Sequence, residues 1–268
     1  MLLILLLLLV CHAPVLVVRA TRIAMLNGNY FPTKTASPPQ AWMNATFNLF
    51  NADFKAASVA GAALAITPEF ALTSHEWLKS CQTPASATPW CPSLPPRLSC
   101  STPNPNTAYQ RLACLAKEHN ITIAVNLCEG INGTNYNTQA IFDFTGQLIQ
   151  KYHKMHPYYP HCFQQPSTLQ LRTFNVSTVP FEIGIFTCKD ILYSTPSKNL
   201  YAQGIRHFIY SSAIPLVGNV VKKLWSKKYK DSYLMASDSA KGDSGVYNNG
   251  DKIVTSTLNN GKIVLWDV

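Results

Sequence analysis

The sequence has 268 residues, 47% of them hydrophobic, and a formal net charge of +9. It is long enough to bury the core of one large domain, and no internal repeat or Gly/Ser linker divides it. The basic balance comes with no nucleic-acid-binding motif, which excludes nucleic acid as the expected partner.

Residues 1 to 20 open on Met-Leu-Leu-Ile-Leu-Leu-Leu-Leu-Leu-Val and end on Val18-Arg19-Ala20, the pattern of a secretory signal peptide. The apolar run is short and no stop-transfer pattern follows, so no membrane span is expected. The domain is therefore expected over residues 21 to 268 of a secreted, extracellular glycoprotein, with sequons at Asn44, Asn120, Asn132 and Asn175. Of eight cysteines, Cys11 falls in the signal segment, which leaves seven. An odd set keeps at least one thiol free or bonded to another chain, and parity alone does not say which.

Thr21 to Leu26 predicts a first strand. Met43, Phe47, Phe50 and Phe54 recur at steps of four, three and four, the apolar stripe of a helix, which small residues continue toward Ala63. Ala62 to Thr67 predicts a buried strand that delivers Pro68-Glu69 at its carboxyl end, where open α/β sheets present groups to ligands. Residues 81 to 106, rich in proline and holding Cys81, Cys91 and Cys100, read as an irregular, disulfide-stapled excursion. A helix through Tyr109, Leu112, Ala113 and Ala116 ends near His119, and Ile121 to Leu127 is a strand. Thr138 to Phe144 and Gln147 to Lys151 form a hairpin around Thr145-Gly146 that ends in Tyr152-His153-Lys154.

The apolar run from Phe181 ends at Cys188, at the rim of a sheet. Helices are expected at 196 to 203 and 217 to 229, with a strand at 206 to 212. Lys222, Lys223, Lys227, Lys228 and Lys230 around Trp225 and Tyr229 read as a solvated basic helix face. The tail predicts strands near 232 to 235, 245 to 247, 252 to 256 and 262 to 266, the last two joined by Asn259-Asn260-Gly261. No Gly-x-Gly-x-x-Gly loop, P-loop or Gly-x-Ser-x-Gly elbow occurs, which argues against nucleotide and serine-hydrolase chemistry. His153, His156, His161 and Cys162 match no zinc-ligand spacing, so no metal is expected.

Three apolar strands thus end in polar groups: Ile66-Thr-Pro-Glu69, Lys151-Tyr-His-Lys154 and Ile185-Phe-Thr-Cys188. In that order they resemble the nitrilase, or carbon-nitrogen hydrolase, superfamily. Thr-Pro-Glu, Tyr-Asn-Thr at 136 to 138, Tyr-His-Lys, Thr-Phe-Asn at 173 to 175 and Gly-Ile-Phe-Thr-Cys-x-Asp-Ile-Leu resemble its vanin and biotinidase branch, from Thr21 to about Ser212. The resemblance implies an α/β fold, a nitrilase-like α-β-β-α sandwich in a single domain, with no cofactor. It implies catalysis by Glu69 as base, Lys154 as electrostatic stabiliser and Cys188 as nucleophile. Lys189, Asp190 and Ile214 are placed around the substrate, Asp190 also as a helix cap. Three disulfides among the other six cysteines follow from the same resemblance.

The implied reaction is hydrolysis of a small-molecule linear amide through a Cys thioester, pantetheine to pantothenate and cysteamine being the model. The alternative is an impaired relative of the same fold with a binding or structural role, because three positions depart from the pattern. Pro160 stands where relatives carry a second glutamate, Lys189 where an aromatic residue follows the nucleophile, and Ile214 where the pocket has Trp. The oligomeric state is left open.

Overall fold

The computed structural model describes residues 21–28, 39–73, 77–78, 81, 91–95, 98–100, 107–240, 243–254 and 256–268. The expected signal peptide and most of the 81 to 106 excursion lie outside the described residues.

The strands are β1 (Arg22–Leu26), β2 (Ala62–Ile66), β3 (Thr122–Ile131), β4 (Thr134–Phe142), β5 (Leu148–His153), β6 (Thr173–Phe174) and β7 (Ile183–Thr187). They continue with β8 (His207–Ser212), β9 (Tyr233–Asp238), β10 (Gly245–Asn248), β11 (Asp251–Ile253), β12 (Ser256–Leu258) and β13 (Ile263–Asp267). The α-helices are α1 (Pro39–Val59), α2 (Ala108–Glu118), α3 (Ser197–Ala202) and α4 (Gly218–Lys228), and a 3-10 turn covers Cys188–Leu192. One sheet has the order β12-β13-β1-β2-β3-β4-β5 and the other β11-β10-β9-β8-β7-β6. In their centres β1, β2 and β3 run parallel, as do β7, β8 and β9.

Alternation along the central strands builds the layers. Ile23 and Met25 of β1, with Leu64 and Ile66 of β2, face Ile183, Ile185, Ile209 and Met235 of the second sheet. Ala24, Leu26 and Ala65 point the other way, against Phe47, Phe50 and Phe54 of α1 and Leu112 of α2. Beyond the second sheet, Phe186, Phe208, Tyr210 and Leu234 pack under Trp225 of α4 and Tyr229, which caps that helix. The result is helix, sheet, sheet, helix. Each buried phenylalanine contributes about 1.5–3 kcal/mol by leaving water, so the steps of four, three and four in α1 dock that helix.

Several expectations are corrected. The α1 helix stops at Val59 because Gly61, at φ 86°, turns the chain straight into β2. The third strand runs to Ile131 rather than Leu127, and Asn132-Gly133, at φ 48° and 76°, closes a two-residue hairpin with β4. Left-handed values at both positions suit this Asn-Gly pair. The tail strand expected at 252 to 256 is divided: β11 edges the second sheet and β12 the first, so the chain crosses between sheets there. Lys222 belongs to no solvated face. It is fully buried, and Trp225 and Tyr229 beside it are buried too. Among the described residues no helix is long and apolar enough to cross a membrane.

Candidate active site

Glu69 follows β2, Lys154 follows β5 and Cys188 follows β7. Each strand end is pinned by neighbouring backbone. The Thr67 N–H donates to Ala124 O, the Ser211 hydroxyl to Thr67 O at 2.6 Å, and the Glu69 N–H to Ser212 O at 3.3 Å. The turn carrying Glu69 is therefore fastened to both sheets. The Lys154 N–H donates to Asn137 O at 2.9 Å.

These placements bring Glu69, Lys154 and Cys188 into one buried cluster, with 2%, 1% and 7% of their surface exposed. Lys154 Nζ donates to Glu69 Oε1 at 2.5 Å, and Asn137 Nδ2 donates to the same oxygen at 2.9 Å. Asn126 Nδ2 in turn donates to Asn137 Oδ1, and its own Oδ1 accepts from the Phe70 N–H. This relay locks one face of the carboxylate. Glu69 Oε2 is buried with no partner of hydrogen-bonding geometry, and the Glu69 side chain stands against the Cys188 thiol, so Oε2 is the oxygen open to a reacting proton.

Cys188 is the free cysteine of the described residues; Cys81–Cys162, Cys91–Cys128 and Cys100–Cys114 are disulfides. Its backbone sits at φ 45°, a left-handed value that costs a side-chain-bearing residue of order 1–3 kcal/mol and that marks functional turns. The strain is held by neighbours: Tyr210 Oη donates to Cys188 O at 2.8 Å, and the Thr187 N–H donates to Asp190 Oδ2 at 3.0 Å. Burial pushes the thiol well above its ordinary range, and the Glu69 charge adds to the rise. The Lys154 charge and a hydrogen bond from the Ala213 N–H pull the other way without reversing it. For Lys154, burial disfavours the charge, but Glu69, Cys188 and Asp190 together hold its pKa above the usual lysine range. The resting state is a neutral thiol beside an ammonium, so attack by sulfur requires a base.

Asp190 points at the groups that hold the Cys188 turn in place. Fully buried, it accepts from Tyr152 Oη at 2.6 Å, from the Thr187 N–H, and from the His156 N–H and ring Nδ1. It ties the end of β5 to the turn that carries Cys188. Its place three residues past a strand-end threonine was the signal of a cap. Lys189 is half-buried, and Ile214, also half-buried, gives its N–H to Asp238 Oδ1. Pro160 is exposed, while Tyr159 beside it is half-buried and feels the charges of Glu69, Cys188 and Lys154. Sequence reasoning missed this tyrosine and the Asn126–Asn137 relay.

Tyr159 tilts against Phe70 with ring centroids 5.8 Å apart, and Phe70 stacks on Phe163 at 6.0 Å. Ala213 packs against this group, so an aromatic wall stands beside Cys188. Donor atoms of Cys81, His161 and Cys162 lie within 4.8 Å of one another, but both sulfurs are committed to a disulfide and offer no thiolate. His153 instead bonds Glu129 Oε2, and His156 bonds Asp190.

Residues 22–230 match the protein-family model described as carbon-nitrogen hydrolase. A human pantetheine hydrolase is 30% identical over 192 residues, which cover 63% of this chain and 36% of that protein. Rat biotinidase is 25% identical over 236 residues, 77% of this chain and 44% of that protein. The chain therefore spans less than half the length of either relative. Among solved structures, an amidase from Nesterenkonia sp. matches with a TM-score of 0.69 at 16% identity, over 94% of this chain and 92% of that one. Nit3 of Saccharomyces cerevisiae, from branch 10 of the nitrilase superfamily, matches at 0.67 and 16% identity, over 92% and 89%. These likenesses show the nitrilase fold.

Proposed function

The chain belongs to the carbon-nitrogen hydrolase family, and on that premise we propose that it is a secreted amidohydrolase cleaving a linear amide through a thioester on Cys188. The observation that carries this reading is the convergence of Glu69, Lys154 and Cys188 from three strand ends into one buried cluster, with Glu69 Oε2 unpartnered.

Sulfur attacks the amide carbon as Glu69 takes the thiol proton, so no free thiolate has to accumulate. Negative charge gathers on the former carbonyl oxygen, where the Lys154 ammonium and the Lys189 N–H, first in the turn after the nucleophile, receive it. Glu69 returns the proton to the departing amine. The carbon–nitrogen bond breaks and a thioester remains. Glu69 then deprotonates water, which attacks the thioester and releases the acid and the thiol.

A pantetheine-like amide is the proposed substrate, supported by the 30% identity to a pantetheine hydrolase. Secretion is supported by the three disulfides and by the exposure of Asn44, Asn120, Asn132 and Asn175, all proposed glycan sites. The test is release of cysteamine from pantetheine, with a panel of simple amides alongside and Cys188→Ala as control. Turnover lost in Cys188→Ala supports the reading. A folded wild type that hydrolyses no amide, or a variant as active as wild type, ends it.

A further inference from the structure

Among the described residues, one fully buried ion pair lies outside this cluster. Lys222 of α4 and Asp238 at the end of β9 are both fully buried, and Lys222 Nζ donates to Asp238 Oδ2 and, at 3.2 Å, to Asp243 O. Removing two charges from water is costly, and such a pair is weak evidence for stability alone. Its remaining partners indicate another use. Asp238 Oδ2 accepts from the Ser212 hydroxyl at 2.5 Å, and Oδ1 accepts from the N–H groups of Ile214 at 3.3 Å and Ala240 at 2.9 Å.

Ser212 and Ile214 flank Ala213, whose backbone N–H acts on the Cys188 thiol and favours its ionised form, and the register that sets Ser211 beside Thr187 brings this segment alongside the Cys188 turn. The Ser212 carbonyl also accepts the Glu69 N–H at 3.3 Å and the Ser239 N–H at 3.0 Å. The end of β8 thus touches base and nucleophile together, and Asp238 grips it on both sides of the residue that reaches the sulfur. Lys222 supplies the counter-charge to that buried carboxylate. Gly218 makes room for the pair, since a Cβ there would come within 3.3 Å of Asp238 Oδ2 and 3.2 Å of Lys222 Nζ.

We infer that Lys222 and Asp238 are positioning residues for the nucleophile, holding the segment Ser212–Ile214 so that the Ala213 N–H stays on the Cys188 sulfur. The inference rests on the hydrolase reading for its consequence, but thiol reactivity can be measured without any substrate. Glu69, Lys154, Tyr159 and Tyr210 are the titratable groups facing that sulfur from the surrounding elements. The Lys222, Asp238 and Ser212 variants alter none of them.

The experiment compares iodoacetamide labelling of Cys188 at neutral pH in the full chain, read by mass on its peptide, with kcat and KM for pantetheine. Lys222→Met with Asp238→Leu removes the pair without leaving a lone buried charge. It leaves the Ser212 hydroxyl and the Ile214 and Ala240 N–H groups without their acceptor, so it is expected to melt below wild type, yet, where folded, to label about tenfold more slowly, as one unit of thiol pKa requires, with kcat lowered and KM little changed. Lys222→Met with Asp238→Asn restores an acceptor oxygen and should recover labelling to within about threefold of wild type. A folded Leu variant that labels like wild type overturns the inference. If that variant does not fold, Ser212→Ala, which leaves the ion pair intact, decides it in the same way. Wild-type labelling indifferent to Glu69→Gln would instead sink the hydrolase reading, so the two failures are distinct.

Discussion

Lys154 Nζ lies 2.5 Å from Glu69 Oε1 with both side chains out of contact with solvent. The ammonium occupies one carboxylate oxygen and leaves the other for proton transfer. Glu69→Gln keeps the shape and removes the base, so kcat/KM should fall by about 10²–10⁴. It also leaves a buried ammonium without its counter-charge, which costs about 3–5 kcal/mol when one partner of such a pair is removed. Steady-state kinetics and a thermal melt of the same sample check both outcomes. Undiminished turnover would deny Glu69 its role.

The raised thiol gives a stability signature at alkaline pH. Folding keeps Cys188 protonated, whereas in the unfolded chain the thiol ionises near pH 8.5. The stabilisation is complete below that value and is lost as pH rises from it toward the folded pKa. Wild type should therefore lose stability more steeply than Cys188→Ser between about pH 8.5 and 10. Lys154, also raised, contributes its loss only above the usual lysine range, and it does so in both proteins. Parallel denaturation curves for the two proteins would contradict the burial of this thiol.

The parts of this site that were legible in the sequence are those where a polar residue interrupts an apolar strand at its end. Glu69, Lys154 and Cys188 each do so, and cysteine parity required an unpaired thiol. What escaped was polar chemistry inside elements. Asn126 and Asn137 lie within β3 and β4 and look like strand filler, although two asparagines in buried runs call for partners. Lys222 was counted with the solvated lysines. Its spacing to Trp225, Ser226 and Tyr229, at three, four and seven residues, was the warning that it shares their buried face. The hairpin at Asn132-Gly133 was hidden because the same asparagine begins a sequon, and the tail's crossing between sheets has no local signal at all.

Asp190 links two of the three strand ends that meet in the buried cluster, so truncating it should damage fold and proposed reaction together. Asp190→Ala strands Tyr152 Oη, the Thr187 N–H and the His156 N–H, all of which it now satisfies. Each buried group left unpaired costs about 1–3 kcal/mol. A loss of several kcal/mol is expected by denaturant titration, and Asp190→Asn, which keeps acceptor capacity, should lose less. Equal stability of the Ala variant and wild type would show that these contacts do not anchor the turn.

Tyr159 stands next to Pro160, one of the three departures from the expected pattern. It packs on Phe70 and lies within electrostatic reach of all three cluster residues, yet remains half-exposed. A half-exposed aromatic ring beside a buried nucleophile is suited to contact a bound amide rather than to handle protons, since burial and the neighbouring phenol and carboxylate raise its pKa. Tyr159→Ala should therefore raise KM by about tenfold, roughly the 1.4 kcal/mol of one lost contact, while kcat changes much less. Tyr159→Phe keeps the ring and should stay close to wild type. If the Phe variant instead loses kcat with KM unchanged, the hydroxyl acts in the chemical step and the wall is part of the reacting centre.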